Sequence, residues 1–225
     1  MPHATTVETN PEVQRLVQNV YFPSAVYTTL RKDFLESVKP VFDENIAKAE
    51  RISSNNPTQV AVMSGNFFDD ARISKFTQYV ANAAWKILEG QGYDMMDKGT
   101  FFAGMWGQQH SKTSFTPEHV HPGVQLVGFY FLETPPGSSK IQIHDPRPAK
   151  VMVNMPEKNS AQTTMASPVV SFTPEPGMLF FANSWLPHSF SRHDSDALLS
   201  FVHFNVGVMK TLLKADPGPS TAEVI

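Results

Sequence analysis

The chain contains no cysteine. Disulfides, thiolate zinc sites, iron–sulfur clusters and cysteine nucleophiles are therefore excluded. Any metal must be held by histidine, carboxylate or backbone oxygen, which points to Fe, Mn, Zn, Cu or Ni. Charge is sparse as well: 17% of residues are charged, with a net charge of −3 and a pI near 6.2. A general nucleic-acid binder presents a basic surface, so none is expected here. Long hydrophobic runs are missing too. The apolar stretches are a handful of residues each, far short of a membrane span. The opening "MPHATTVETNPEV" has neither the basic region nor the apolar region of a signal peptide. A cytoplasmic location is the expectation.

Hydrophobic residues make up 41% of the 225, enough for a substantial core. Eighteen prolines and 17 phenylalanines favour short strands joined by turns over a helical bundle. Residues 1–23 read as an irregular arm. Apolar residues at 26, 30, 34, 38, 42 and 46 have the i,i+4 spacing of an amphipathic helix. Pro40 predicts a kink there, or two short helices meeting near Lys39. "SSNNPTQ" reads as a loop. A second helix is predicted from Asp69 or Asp70, either of which can cap free N–H groups. Its stripe is Ile73, Phe76, Val80, Ala83 or Ala84, and Ile87, and it stops at the glycines of "EGQGY".

From about residue 100 short β-like runs alternate with turns: "TFFAGMWGQ", "VQLVGFYFL", "KIQIH", "KVMVN", "PVVSFT", "GMLFFA", "HSFSRH" and "ALLSFVHFNV". Roughly eight strands at this spacing imply a barrel, sandwich or jelly roll. The expectation is one α+β domain: arm and helices over 1–98, a β core over 99–209 and a mobile tail over 210–225. There is no internal repeat.

Eight histidines are present, and two of them, His119 and His121, stand two apart before an apolar run. Side chains at i,i+2 on a strand share a face, so both imidazoles can converge on one transition-metal ion. His188, after the apolar run "MLFFANSWLP", is the candidate third ligand. His3, His110, His144, His193 and His203 read as surface or satisfied core residues. Glu118 adjoins His119 and so faces away from it. Trp106 and Trp185 read as core packing, with a wall of the substrate cleft as the alternative. Asn183 and Ser184 either contact substrate or shape a turn.

The pieces "HVHPG", "VGFYFLETPPGSSKIQIHDPRP", "PEPGMLFFANSWLPH" and "FVHFN" occur in an order that resembles the iron(II)/2-oxoglutarate-dependent oxygenases. The likeness is to a prolyl-hydroxylase-like subfamily common in marine bacteria and their phages, and it spans Trp106 to Asn205. It implies a double-stranded β-helix, a jelly roll of the cupin kind, buttressed by N-terminal helices. It implies Fe(II) and 2-oxoglutarate as cofactors, with ascorbate as an in vitro reductant, and hydroxylation of an unactivated C–H bond. If the gene is phage-encoded, the location is the host cytoplasm. His119 falls at the first ligand position and His188 at the distal one. His121 falls where the wider superfamily carries a carboxylate, so the third ligand is His121 itself or Asp145 of "HDPRP".

The family usually meets the distal carboxylate of 2-oxoglutarate with a cation shortly after the distal histidine. Leu199 sits there instead. Arg147 and Arg192 are the candidate replacements, and Tyr130 is a candidate hydrogen-bond donor to the co-substrate. The partner is an unknown substrate: a peptide, an amino acid, a sugar or a nucleobase. A homo-oligomer is allowed. Two rival readings stand beside this one. The first is a non-catalytic jelly roll for assembly or binding, as in a virion, with a vestigial metal site. The second is a three-histidine cupin-type dioxygenase that needs no 2-oxoglutarate.

Overall fold

The computed structural model describes residues 5–6, 17–53, 61–153 and 155–211. In chain order the elements are β1 (Thr5–Thr6), β2 (Val17–Gln18), β3 (Val26–Leu30), α1 (Leu35–Ser53), β4 (Ala61–Asn66) and α2 (Ser74–Gly90). Then come β5 (Lys98–His110), β6 (Thr116–His119), β7 (Leu126–Glu133), β8 (Ile141–His144), β9 (Val169–Phe172), β10 (Met178–Asn183), β11 (His188–Phe190) and β12 (Leu199–Lys210). The eight strands from β5 onward divide between two antiparallel sheets. The major sheet has the order β3-β10-β7-β12-β5-β4 and the minor sheet β6-β11-β8-β9. This is the double-stranded β-helix of an α+β chain.

Side-chain parity decides which face of the major sheet meets which layer. On β7 and β12, Tyr130, Val202, Phe204 and Val206 point to the helices and join Phe42, Phe76 and Val80 in one core cluster. Their neighbours Val127, Phe129, Phe131 and Phe201 point inward and meet Ile141, Ile143 and Phe190 of the minor sheet. Both faces of β7 are buried, so it reads as a continuous apolar run. Glycines admit the close approaches. A Cβ on Gly107 would stand 2.8 Å from the ring of Phe42 on α1, and one on Gly128 would stand 2.6 Å from the carbonyl of Phe180.

The second helix follows its sequence signals. Asp70 accepts a hydrogen bond from the backbone N–H of Arg72 at 2.9 Å, capping a 3-10 turn that leads into α2. Its buried residues are Phe76, Val80, Ala84 and Leu88, so Leu88 replaces the expected Ile87 at the end of the stripe.

Two expectations fail. Val26–Leu30 is a strand at the edge of the major sheet, paired with Met178–Ala182, and not the start of a helix. The i,i+4 spacing of Val26 and Leu30 also fits an extended edge strand, and pairing with β10 settles it. Helix α1 then runs through Pro40 without a break. "KVMVN" is not a strand: Pro148–Met152 forms a 3-10 turn with proline at its start, where a missing N–H costs nothing. The loop at 54–60, most of the arm and the tail from 212 lie outside the described residues. No helix among the described residues is long and apolar enough to cross a membrane.

Candidate metal centre

The histidines converge at one end of the jelly roll, between the two sheets. His119 closes β6 and His188 opens β11, and the two are direct partners in the antiparallel ladder. His121 follows on the same face, and its backbone N–H donates to Ser184 O at 3.0 Å. Ring centroids are 4.5 Å apart for His119 and His188, 4.9 Å for His119 and His121, and 5.2 Å for His121 and His188. Among the described residues, these three bring one ligand atom each to within 4.8 Å of one another.

Hydrogen bonds select which nitrogen faces the centre. His119 Nδ1–H donates to Pro117 O at 2.8 Å and His188 Nδ1–H to Leu186 O at 2.9 Å. A carbonyl can only accept, so each Nε2 carries a free lone pair. This is the support that metal-bound imidazoles ordinarily have. His121 Nε2 and His188 Nε2 are buried and have no hydrogen-bond partner. Burial pushes both imidazoles down to about 4, so they are uncharged at neutral pH. Two buried lone pairs without donors are costly to leave empty, and a divalent ion satisfies them together. Nitrogen ligands about 2.0–2.1 Å from an ion and at right angles stand about 3 Å apart. The three ligand atoms lie within 4.8 Å of one another, and an imidazole set suits Fe as it does Zn, Cu or Ni.

The other candidates fall elsewhere. Asp145, the alternative third ligand, is tied to Arg147 at 2.7 Å and to Lys150 at 2.8 Å, and the Arg147 guanidinium holds its carboxyl far below the usual range. Arg147 spends its fork on Asp145, through Nε at 2.9 Å and Nη2 at 2.7 Å, and its side chain is 60% exposed. It is a surface turn pair and offers nothing to a buried co-substrate. Arg192 is exposed and lines a groove on the outer side of the minor sheet with Gln142, His144 and Ser189. Tyr130 points the wrong way. It lies on the helix-facing side of β7, packs on Phe76 and donates to Arg31 O at 2.7 Å. Asn183 exchanges two 3.0 Å hydrogen bonds with Gln91 at the end of α2, so it joins the layers. Glu118 faces outward as parity requires and reaches His144 Nδ1 at 3.2 Å.

One residue was missed. His203 on β12 is not a satisfied core histidine. It is 4% exposed, its Nε2 has no partner, and its ring lies 5.0 Å from that of His121. Its parity with Asn205, two residues on, was the available signal. Trp106 lies 4.2 Å from the His203 ring and is also part of this wall. Trp185, three residues before His188, is half exposed and borders two openings. One is a cleft of about 610 Å³ with Val124, Gln125 and Ser184, and the other a groove of about 690 Å³ with Leu186 and Phe22.

Residues 104–205 match the model of the family described as "Putative 2OG-Fe(II) oxygenase". That segment, a little under half of the chain, is similar to the 2OG-Fe(II) oxygenases. No curated protein sequence matches it. Among solved structures, AviO1 from Streptomyces viridochromogenes Tue57 superposes with a TM-score of 0.56 at 10% identity, covering 89% of this chain and 93% of that one. A Pseudomonas putida prolyl-4-hydroxylase gives 0.54 at 9% identity, covering 82% and 93%. The viral collagen prolyl hydroxylase of Paramecium Bursaria Chlorella virus-1, in its 2OG complex, gives 0.51 at 9% identity, covering 84% and 96%. At such identities these structures share the fold. The candidate group here is three histidines, where the usual facial triad of such oxygenases is two histidines and one carboxylate.

Proposed function

We propose that His119, His121 and His188 hold Fe(II) and that the chain oxidises a C–H bond of a small molecule or peptide received at the Trp185 cleft. The observation that carries this is the set of unpaired Nε2 atoms facing one another, with two Nδ1 atoms locked onto backbone carbonyls. When bound, Fe(II) with 2-oxoglutarate supplies the activation of O2. The chain's residues do the rest. Pro117 O and Leu186 O fix the tautomer and the aim of two ligands. None of the three ligands brings a negative charge, so the ion keeps its full positive charge and draws an anionic chelator strongly. Phe129, whose ring lies 5.9 Å from that of His188, closes the interior side against water. The prolyl hydroxylases among the structural neighbours support a peptide or amino-acid substrate, and the apolar walls beside Trp185 suit either.

The test is an anaerobic Fe(II) titration of the full chain, with and without 2-oxoglutarate. One Fe(II) per chain is expected. Adding 2-oxoglutarate should bring up the weak visible charge-transfer band of a bidentate complex, and admitting O2 should form succinate. Failure of the chain to bind Fe(II) would overturn the reading. Oxygen uptake that ignores 2-oxoglutarate would favour the cupin-type alternative, for which the third histidine speaks.

A further inference from the structure

Beside the three histidines, three more polar atoms are buried and without a partner: Trp106 Nε1, His203 Nε2 and Asn205 Oδ1. They form one surface. Trp106 and His203 are direct partners across β5 and β12, with rings 4.2 Å apart. Asn205 lies two residues beyond His203 and so shares its face. The His203 ring is 5.0 Å from that of His121, so this surface stands against the metal position. Leaving three such atoms unpaired costs the fold free energy that an apolar trio would not. A ligand carrying oxygen atoms relieves the cost. Trp106 can only donate, His203 donates when Nε2 holds its proton, and half a turn of the Asn205 amide presents Nδ2 in place of Oδ1.

The interior on the far side of His188 has the opposite character. Phe129, Phe190 and Phe201 pack with ring centroids 4.8–5.9 Å apart, and Phe131 and Leu199 are fully buried beside them. No lysine or arginine is among the buried residues of the described chain. A carboxylate pushed into this block would be buried without a counter-charge, which proteins avoid.

We infer that Trp106, His203 and Asn205 form a polar cradle for the carboxylate–carbonyl head of a 2-oxo acid that chelates the metal, so that the head and not a distal charge sets co-substrate affinity. This rests on the metal centre proposed above. 2-Oxoglutarate fits with its tail turned outward, and so does a 2-oxo acid with no second carboxylate. A distal carboxylate held by a buried cation is worth at least about 30-fold in affinity, which makes the two arrangements separable.

The experiment is anaerobic calorimetry on the Fe(II)-loaded chain with 2-oxoglutarate and with 2-oxopentanoate, which has a methyl group where the distal carboxylate would be. Dissociation constants within about tenfold of each other are expected. His203→Leu should weaken both ligands by at least about tenfold, while His203→Gln, which keeps an N–H, restores them. The ligand-free melting temperature of His203→Leu should not fall, since the change removes an unpaired polar atom. A purely structural histidine would lower it. If His203→Leu does not fold, Trp106→Phe removes the indole N–H together with part of the ring and should weaken both ligands alike. A 2-oxopentanoate affinity more than about 100-fold below that of 2-oxoglutarate would overturn the inference, and so would unchanged affinities in His203→Leu and Trp106→Phe. Fe(II) binding without binding of either 2-oxo acid would overturn the cradle alone. Absence of Fe(II) binding would overturn the metal centre and the cradle with it.

Discussion

His119 and His188 face each other as partners across the β6–β11 ladder, their ring centroids 4.5 Å apart. Cross-strand partners on one face are neighbours by construction, so this pair is fixed by sheet register. His121 joins it by strand parity.

Removing one of the pair should end metal binding. His188→Ala should weaken Fe(II) by more than about 100-fold, beyond what loss of a supporting residue costs. His144→Ala should leave Fe(II) binding intact, because His144 is engaged on the outer face by Glu118 and by Ser189 Oγ at 2.8 Å. Calorimetric titration of both variants checks this, and equal losses would refute the assignment.

Tyr130→Phe should act on stability alone. It removes the buried donor to Arg31 O and should cost about 1–2 kcal/mol in urea unfolding. Co-substrate affinity should stay unchanged, and Arg147→Ala should leave it unchanged as well. A selective loss of 2-oxo acid binding in either variant would restore the role that their sequence positions first suggested.

Gly128→Ala should be among the most damaging small changes. The added methyl meets the Phe204 ring on one side and the Phe180 carbonyl at 2.6 Å, in the middle of two ladders. Overpacking of this kind costs about 1–3 kcal/mol, and backbone on one side limits relaxation. Gly65→Ala, with open space around it, is the control. Similar melting temperatures for the two would count against the packing described.

Stability should fall in mild acid, in part through His110. This residue is buried between Phe190 and Phe201, far from the charged surface. Burial, with a smaller effect from His193, pushes it down to about 4. The Gln108 amide lies 3.0 Å from His110 Nε2, and Ser139 Oγ 3.1 Å from Nδ1. A second ring proton would face an amide N–H. The unfolded chain binds this proton near pH 6.5 and the folded chain only near 4. The stabilisation is therefore complete above pH 6.5 and is lost as pH falls toward 4, about 3 kcal/mol in all. The stability gap between the parent and His110→Gln should narrow by about 2 kcal/mol from pH 7 to pH 5. A gap that does not move with pH would contradict the burial of a neutral His110.

Much of the site was legible because it depends on local parity. His119 and His121 share a face in any strand, Glu118 must face away, and His188 follows a recognisable run. Strand count and turn spacing left a barrel, sandwich or jelly roll open, and the family resemblance implied the jelly roll. What was not legible depends on partners distant in sequence. Val26–Leu30 became a strand only because β10 offers it an edge. Tyr130 and Phe129 differ by one position, and which of them faces the metal is decided by the helices covering the other side. His203 needed the same knowledge. The Arg147 fork closes on Asp145, two residues before it, a local pair that needs no distant partner.

β6 is a four-residue strand at the edge of the minor sheet. It meets β11 at two register pairs with an irregularity between them. An ion shared by His119, His121 and His188 would cross this seam from the edge strand to its neighbour and act as a rivet. Amide protons of 116–121 should exchange quickly in the metal-free chain and slow sharply when it is loaded. Whether the edge is sewn or loose would then follow the availability of iron, and proteolytic nicking at this margin would report metal status before any substrate is known.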